Sequence, residues 1–237
     1  MKNLLLPILL FVSIYNAYSQ QSYCPCSADD DYGVRLQTGL IGYEYYNPVK
    51  GYEGDQYFNN WSFGAVLMSS GDIIKNISLR YDKYTDELLW MRQSDFKIGV
   101  IPKSAITGFW ISAYQNRREY IASFIKMNIV LPMTGPTDVY LEVLVSGDVS
   151  LYVYRNVNII STTAYSLNDN TRYILSSAGQ QYRVTLSRRN LLAIPTIQKT
   201  EMKTILRSNR INVNDSETEL IRAIALYNAD HKQQTTP

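Results

Sequence analysis

Residues 61–81 read WSFGAVLMSSGDIIKNISLRY, and this stretch decides the fold. An apolar run from Trp61 to Met68 stops at Ser69, Ser70, Gly71 and Asp72, and a second run from Ile73 to Tyr81 follows directly. Two short apolar runs joined by a Ser-Gly-Asp turn make a β-hairpin, because glycine and aspartate supply the backbone freedom and local hydrogen bonds that a reversal needs. The same pattern extends outward. Leu88–Arg92, Lys97–Ile101, Thr107–Tyr114 and Tyr120–Val130 are strand-like segments bounded by Asp, Pro, Gly or charged residues. A loop at 134–137 precedes Asp138–Val145, which turns at Ser146, Gly147 and Asp148 into Val149–Arg155, and shorter strands fit 158–165, 171–176 and 180–186. Many short strands at regular spacing give a mainly β protein, an antiparallel sandwich or a barrel-like sheet. Twenty tyrosines agree, since tyrosine suits a pleated, half-buried surface.

The hairpins at 66–81 and 143–152 echo each other, with Gly71-Asp72 matched by Gly147-Asp148. A duplicated ligand-binding unit would give such an echo, but turn chemistry alone also does, and the spacings differ without a third copy.

At Ser187 the period changes. Ser187 is placed to cap a helix holding Leu191, Leu192 and Ile194, which Pro195 ends. A second helix is expected over Thr196–Arg207, with Ile197, Met202, Ile205 and Leu206 on its apolar side. Ser216 and Glu219 form a capping box ahead of Leu220, Ile221, Ile224 and Tyr227, which recur at helical spacing. The chain thus divides into an N-terminal arm at 20–33, a β domain at 34–186, a small C-terminal helical appendage at 187–229 and a polar tail at 230–237 that is expected to fray.

Residues 1–19 read as a secretory signal peptide: Lys2, an apolar run from Leu4 to Ile14, then Ala17 and Ser19 at the small-residue positions, with cleavage before Gln20. The apolar run is shorter than the ~20 residues a transmembrane helix needs, and no later segment reaches that length. The working protein is therefore expected outside the cytoplasm, in the periplasm, at the cell surface or secreted. Both cysteines, Cys24 and Cys26, flank Pro25. A disulfide in so small a ring is strained, pairing between chains is another fate, and lipidation is a third. The cysteine followed by Ser27, Ala28, Asp29, Asp30 and Asp31 resembles the surface-export signal of lipoproteins in Bacteroidetes, although Pro25 and the long gap from the apolar run depart from it.

Several chemistries lack their residues. The single histidine, His231, falls in the C-terminal tail, which is poorly placed for a Ser-His-Asp or Cys-His system. Zinc sites use several His or Cys ligands, and no Gly-x-Ser-x-Gly, P-loop or dinucleotide fingerprint occurs, so no metal or cofactor is assigned. A balanced charge of 23 basic and 21 acidic residues gives no reason to invoke nucleic acid. The two Ser-x-x-Lys matches, Ser94/Lys97 and Ser123/Lys126, lack the helix that such a pair needs. Carboxylates remain as a catalytic resource: Asp82, Asp86, Glu87, Asp95 and Glu142, none marked by spacing. The run Asp29–Asp31 lacks EF-hand spacing. Basic residues Arg172, Arg183, Arg188, Arg189, Lys199, Lys203, Arg207 and Arg210 would suit an anionic surface or a solvated helix face.

The segment Tyr43–Trp61 is the candidate binding site. Tyr43, Tyr45, Tyr52, Tyr57 and Trp61 alternate with Gly51, Gly54, Glu53, Asp55, Asn59 and Asn60, and aromatic faces beside carboxylates and amides suit a carbohydrate or a protein interface. A tyrosine-rich strand packed on its sheet would look the same.

The aromatic-glycine stretch ending at Trp61, the run Leu79–Leu88, the Tyr140–Leu151 hairpin and the closing Leu220–Asn228 helix together resemble a group of exported β-rich proteins of Bacteroidetes. The resemblance implies an exported β-rich protein and carries over no activity or catalytic residue. The leading expectation is a non-catalytic envelope or secreted protein that binds a glycan or an envelope protein. A carboxylate-dependent glycan hydrolase and a β-barrel carrier of an apolar ligand are the alternatives.

Overall fold

The computed structural model describes residues 42–94, 96–115, 118–131, 135–161 and 166–234. The signal segment, Cys24, Cys26, the acidic run 29–31 and Asp95 lie outside the described residues. In chain order the strands are β1 (Tyr43–Glu44), β2 (Ser62–Met68), β3 (Ile73–Asp82), β4 (Glu87–Met91), β5 (Ile98–Ile101), β6 (Ile106–Gln115), β7 (Arg118–Leu131), β8 (Gly135–Val145), β9 (Val149–Tyr154), β10 (Val157–Ser161), β11 (Ser166–Asp169), β12 (Arg172–Ser177) and β13 (Gln180–Val184). The helices are α1 (Arg188–Leu191), α2 (Lys199–Ser208) and α3 (Glu217–Gln234). Among the described residues no helix is long and apolar enough to cross a membrane.

The hairpin quoted above is β2–β3, paired antiparallel with Ser62 opposite Leu79 and Leu67 opposite Ile73. Gly71 sits in its turn at φ +94°, a conformation that a side chain disfavours even though the space around it is open. Eleven strands form one antiparallel sheet in the order β1-β5-β4-β3-β2-β6-β7-β8-β9-β12-β13, and β10–β11 make a separate ribbon. Of the two architectures the sequence allowed, the sheet does not close into a barrel; β1 and β13 remain its edges.

The sheet is nevertheless rolled. Tyr81 on β3 and Tyr140 on β8 are four strand spacings apart, about 19 Å in a flat sheet. Their ring centroids lie 6.2 Å apart, and Tyr81 also meets Phe124 of β7 at 5.1 Å. The rolled face is filled by Leu79, Tyr81, Leu88, Ile101, Phe109, Ile111, Phe124 and Tyr140, all fully buried. Phe109 and Phe124 stack at 4.6 Å in its centre. The interior of this roll is therefore packed with rings.

The three helices cover the other end of the same sheet. Leu191, Ile194, Met202, Ile205, Leu206, Leu220, Ala223, Ile224 and Tyr227 form one buried cluster with Val149, Leu151, Leu175 and Val184. Asn228 of α3 fixes this docking: its Oδ1 accepts from the Val149 N–H at 3.0 Å and its Nδ2 donates to the Val149 carbonyl at 2.8 Å. Gly147 permits the approach, because a Cβ there would lie 2.5 Å from the Asn228 amide.

Helix ends differ from the sequence reading in instructive ways. Ser187 stands at the N-cap position of α1 but makes no capping bond; Asn214 Oδ1 takes the Arg188 N–H instead, at 3.1 Å. Helix α2 begins at Lys199 rather than Thr196, with the Gln198 N–H taken by the Tyr227 hydroxyl. Ser216 Oγ does accept the Glu219 N–H at 3.3 Å, while the Glu219 carboxylate turns toward Arg222. Helix α3 continues past Asp230 to Gln234 because His231 packs edge-on against Tyr227 at 4.4 Å and lies 3.2 Å from Glu201 of α2.

Candidate functional site

Beyond Ser62 the chain continues back along β3 rather than leaving the sheet. Phe58 N–H donates to the Tyr81 carbonyl, Lys83 N–H donates to that of Gln56, and Tyr57 bridges Asp82. Asn59 repairs the irregularity between them: its Oδ1 accepts from the Tyr81 N–H and its Nδ2 reaches the Leu79 carbonyl and Ser62 Oγ. A side-chain amide thus replaces a missing ladder residue and holds residues 56–59 alongside β3.

Behind this loop lies a buried polar cluster built on Asp82, which is fully shielded from solvent. Its Oδ2 accepts from Tyr45 OH at 2.6 Å and Gln56 Nε2 at 2.8 Å, and its Oδ1 accepts from the Tyr84 and Thr85 N–H groups. Asn47 completes the cluster, with Oδ1 accepting from Gln56 Nε2 and from the Val49 N–H. Burial, then the bond to Asp82, pushes the Tyr45 hydroxyl far above the usual tyrosine range, so it remains a donor. The cluster ties loop 45–57 to the β3–β4 turn.

In front of the loop is a cleft of about 520 Å³, walled by Tyr52, Tyr57, Phe58 and Trp61 with Asn60, Arg80 and Ser112. Three of the five tyrosine and tryptophan residues singled out from sequence, Tyr52, Tyr57 and Trp61, come together here. The other two do not line it. Tyr45 points behind the wall to Asp82, and Tyr43, on edge strand β1, donates to Glu87 Oε1 at 2.7 Å beside a separate depression near Trp90.

Arg80 was not singled out from sequence. Its guanidinium lies over the Tyr57 ring at 3.6 Å and 5.7 Å from that of Trp61, with Nε donating to the Asn59 carbonyl. Strand alternation does place Arg80 on the face opposite Leu79 and Tyr81. That Tyr57 covers this face follows only from the returning loop.

The remaining carboxylates serve other contacts. Asp86 caps the edge of β8 where β9 departs, accepting from Tyr81 OH at 2.7 Å, the Tyr140 N–H at 3.3 Å and Lys103 Nζ at 2.6 Å. Glu142 is 2% exposed and takes Arg155 Nε at 2.7 Å, while Glu217 receives both Arg155 amino groups at 2.7 and 2.9 Å. Tyr120 and Tyr173 add hydroxyl donors to Glu142 and Glu217. The basic residues between 172 and 210 sit on β12, β13, α1, α2 and the segment after α2, and none of them lines the cleft.

Burial pushes the Asp86 carboxyl up to about 6, against the opposing pull of the Lys103 ammonium. The folded protein then holds this proton more tightly than the unfolded chain, where aspartate titrates near ~3.9. The stabilisation from Asp86 is complete below that value and is lost as pH rises through about 6. The stability difference between wild type and Asp86→Asn is therefore expected to shift against wild type by about 2–3 kcal/mol between pH 4 and pH 7. Urea unfolding across that range measures it, and a difference that stays flat would remove Asp86 as the titrating group.

Fold and cleft together define a class: an open, rolled antiparallel sheet with docked C-terminal helices and a tyrosine-walled surface cleft. Comparison with protein-family models, with curated proteins and with solved structures gives no match.

Proposed function

We propose that this is an exported, non-catalytic envelope or secreted protein that binds a glycan in the Tyr52–Trp61 cleft. The observation that carries the reading is the cleft itself: about 520 Å³ of concave surface combining aromatic rings, an exposed amide at Asn60 and a guanidinium. Sugars present apolar C–H faces and hydroxyl rims, and such a wall offers a partner to each. Among the described residues lining the cleft, Asp55 is the single carboxylate, whereas the usual glycosidase uses two flanking the bond it breaks. That balance favours holding a glycan over cleaving it. The carrier reading needs a hollow apolar barrel, and the rolled interior here is occupied by Phe109, Phe124, Tyr81 and Tyr140.

A glycan array probed with wild type and with the Tyr52→Ala/Trp61→Ala variant tests the proposal. At least one glycan should be retained by wild type and lose about tenfold or more in affinity in the variant, equivalent to ~1.4 kcal/mol. Binding that survives both substitutions would sink it. Export has its own check. Mass spectrometry of the mature protein should find Gln20 at the N-terminus, and a chain still carrying residues 1–19 would end that part of the proposal.

A partner-protein reading rests on a different observation. Tyr46 is 83% exposed and Tyr43 54%, both at the edge strand β1 and outside the cleft. Exposed tyrosines on a sheet edge suit protein contacts. Cross-linking from Tyr46 in a cell-envelope extract separates the two readings: a partner sensitive to Tyr46→Ser but not to Trp61→Ala favours the edge.

A further inference from the structure

We infer that the glycan taken by this cleft is acidic, and that the carboxylate of a uronic acid residue is met by Arg80. The inference rests on the glycan reading above and adds the chemical class of the ligand.

Arg80 is held unlike an ordinary surface arginine. Its guanidinium lies over the Tyr57 ring at 3.6 Å and 5.7 Å from that of Trp61, which confines the group between two aromatic side chains. One donor, Nε–H, is used on the Asn59 carbonyl. The Nη1 and Nη2 amino groups have no hydrogen-bond or carboxylate partner among the described residues, yet Arg80 lines the cleft. The other buried or half-buried arginine of a polar cluster, Arg155, spends its donors on two glutamates. A guanidinium with its in-plane fork open and its position confined by two rings is built for bidentate recognition of a planar anion.

The charges around it agree. The ionisable groups lining the cleft, tyrosines aside, are Arg80, Lys50 and Asp55, so the balance there is positive. A free carboxylate would gain little from one arginine in an open, solvated cleft. The rings supply the rest. A sugar stacked on Trp61 or Tyr52 would carry its carboxylate to the edge of the Tyr57–Arg80 stack. The two contacts together, rather than either alone, would select an acidic sugar.

The experiment uses the mature chain and a panel of tetrasaccharides: oligogalacturonate, oligomannuronate, oligoguluronate and hyaluronan, each beside its methyl ester, with neutral cello- and xylo-oligosaccharides and a hexaglutamate peptide. Methyl esterification removes the charge and keeps the sugar ring. At least one acid form should bind at least tenfold more tightly than its ester, and rising salt should narrow the gap. Arg80→Gln should erase the preference, whereas Arg80→Lys should keep part of it by retaining charge without the fork. If acid and ester bind alike, or if Arg80→Gln leaves the preference intact in a folded protein, the inference fails. If neutral glycans alone bind and Trp61→Ala releases them, the acidic ligand is wrong while the glycan reading stands. If no glycan binds, both fall. Hexaglutamate binding as tightly as the best uronate would move recognition to acidic protein and also overturn the inference.

Discussion

Replacing Arg155 with alanine should lower the unfolding free energy by about 3–5 kcal/mol, the usual cost of stranding a buried charge. The reason is the state of Glu142. It is 2% exposed, and burial pushes its carboxyl upward while Arg155 opposes that shift. Without Arg155, Glu142 keeps only the Tyr120 hydroxyl at 3.3 Å, and Glu217 loses the bidentate bond that holds the first turn of α3 against β9. The loss should be largest at neutral pH and smaller in acid, where Glu142 is protonated. Urea unfolding of Arg155→Ala beside Arg155→Ala/Glu142→Gln measures it. The double variant should regain part of the loss, because it no longer buries an unpaired charge. A double variant as weak as the single one would show that packing, not charge, is what Arg155 supplies.

Phe124→Ala should cost about as much, ~3–5 kcal/mol, by a different route. Phe124 is 1% exposed, stacks on Phe109 at 4.6 Å and meets Tyr81 and Phe58 at 5.1 Å. Those partners come from β6, β3 and the loop before β2, so the cavity would open where the rolled sheet closes on itself and could not collapse easily. Because Phe58 also belongs to the cleft wall, the substitution should weaken ligand binding even though Phe124 does not line the cleft. Thermal unfolding and affinity measured on the same preparation check both effects. A change under ~1 kcal/mol would mean that the roll is held by its ladder hydrogen bonds alone.

Much of the architecture could be read from turn residues. Gly71-Asp72 and Gly147-Asp148 punctuate apolar runs, and the strands beside them begin and end within a few residues of those marks, whereas Gly135, Pro136 and Thr137, which read as loop in the sequence, open β8 opposite Leu131, Val130 and Ile129. What escaped were features set by distant parts of the chain. β1 is two residues long and exists because β5 offers it an edge. β2 lies beside β6, a pairing that turn chemistry does not encode. Ser187 looks like a cap in the sequence, yet Asn214 takes that role because the loop before α3 folds back over α1.

The candidate site was legible to a similar depth. An aromatic, amide-rich segment identifies itself by composition, but composition cannot say which ring faces out. Tyr45 and Tyr57 are 12 positions apart in one segment and their hydroxyls lie 3.2 Å apart, yet one is committed behind the wall to Asp82 while the other carries Arg80. Arg80 could be assigned to a face by strand period alone. Its stacking partner could not, because that depends on residues 56–61 returning along β3.

The Asn228 clamp on Val149 also bears on how the chain reaches this structure. Most neighbours in the sheet are sequential hairpins, which form by local search. The clamp instead spans 79 residues, so its loop-closure entropy must be met before it contributes anything. The strands can therefore pair early, but the apolar face formed by Val149, Leu151 and Leu175 stays bare until α3 arrives. Between those two moments the protein is sticky. A substitution at Asn228 would loosen the hold of α3 on β9 and so bare this apolar face more often in the folded protein.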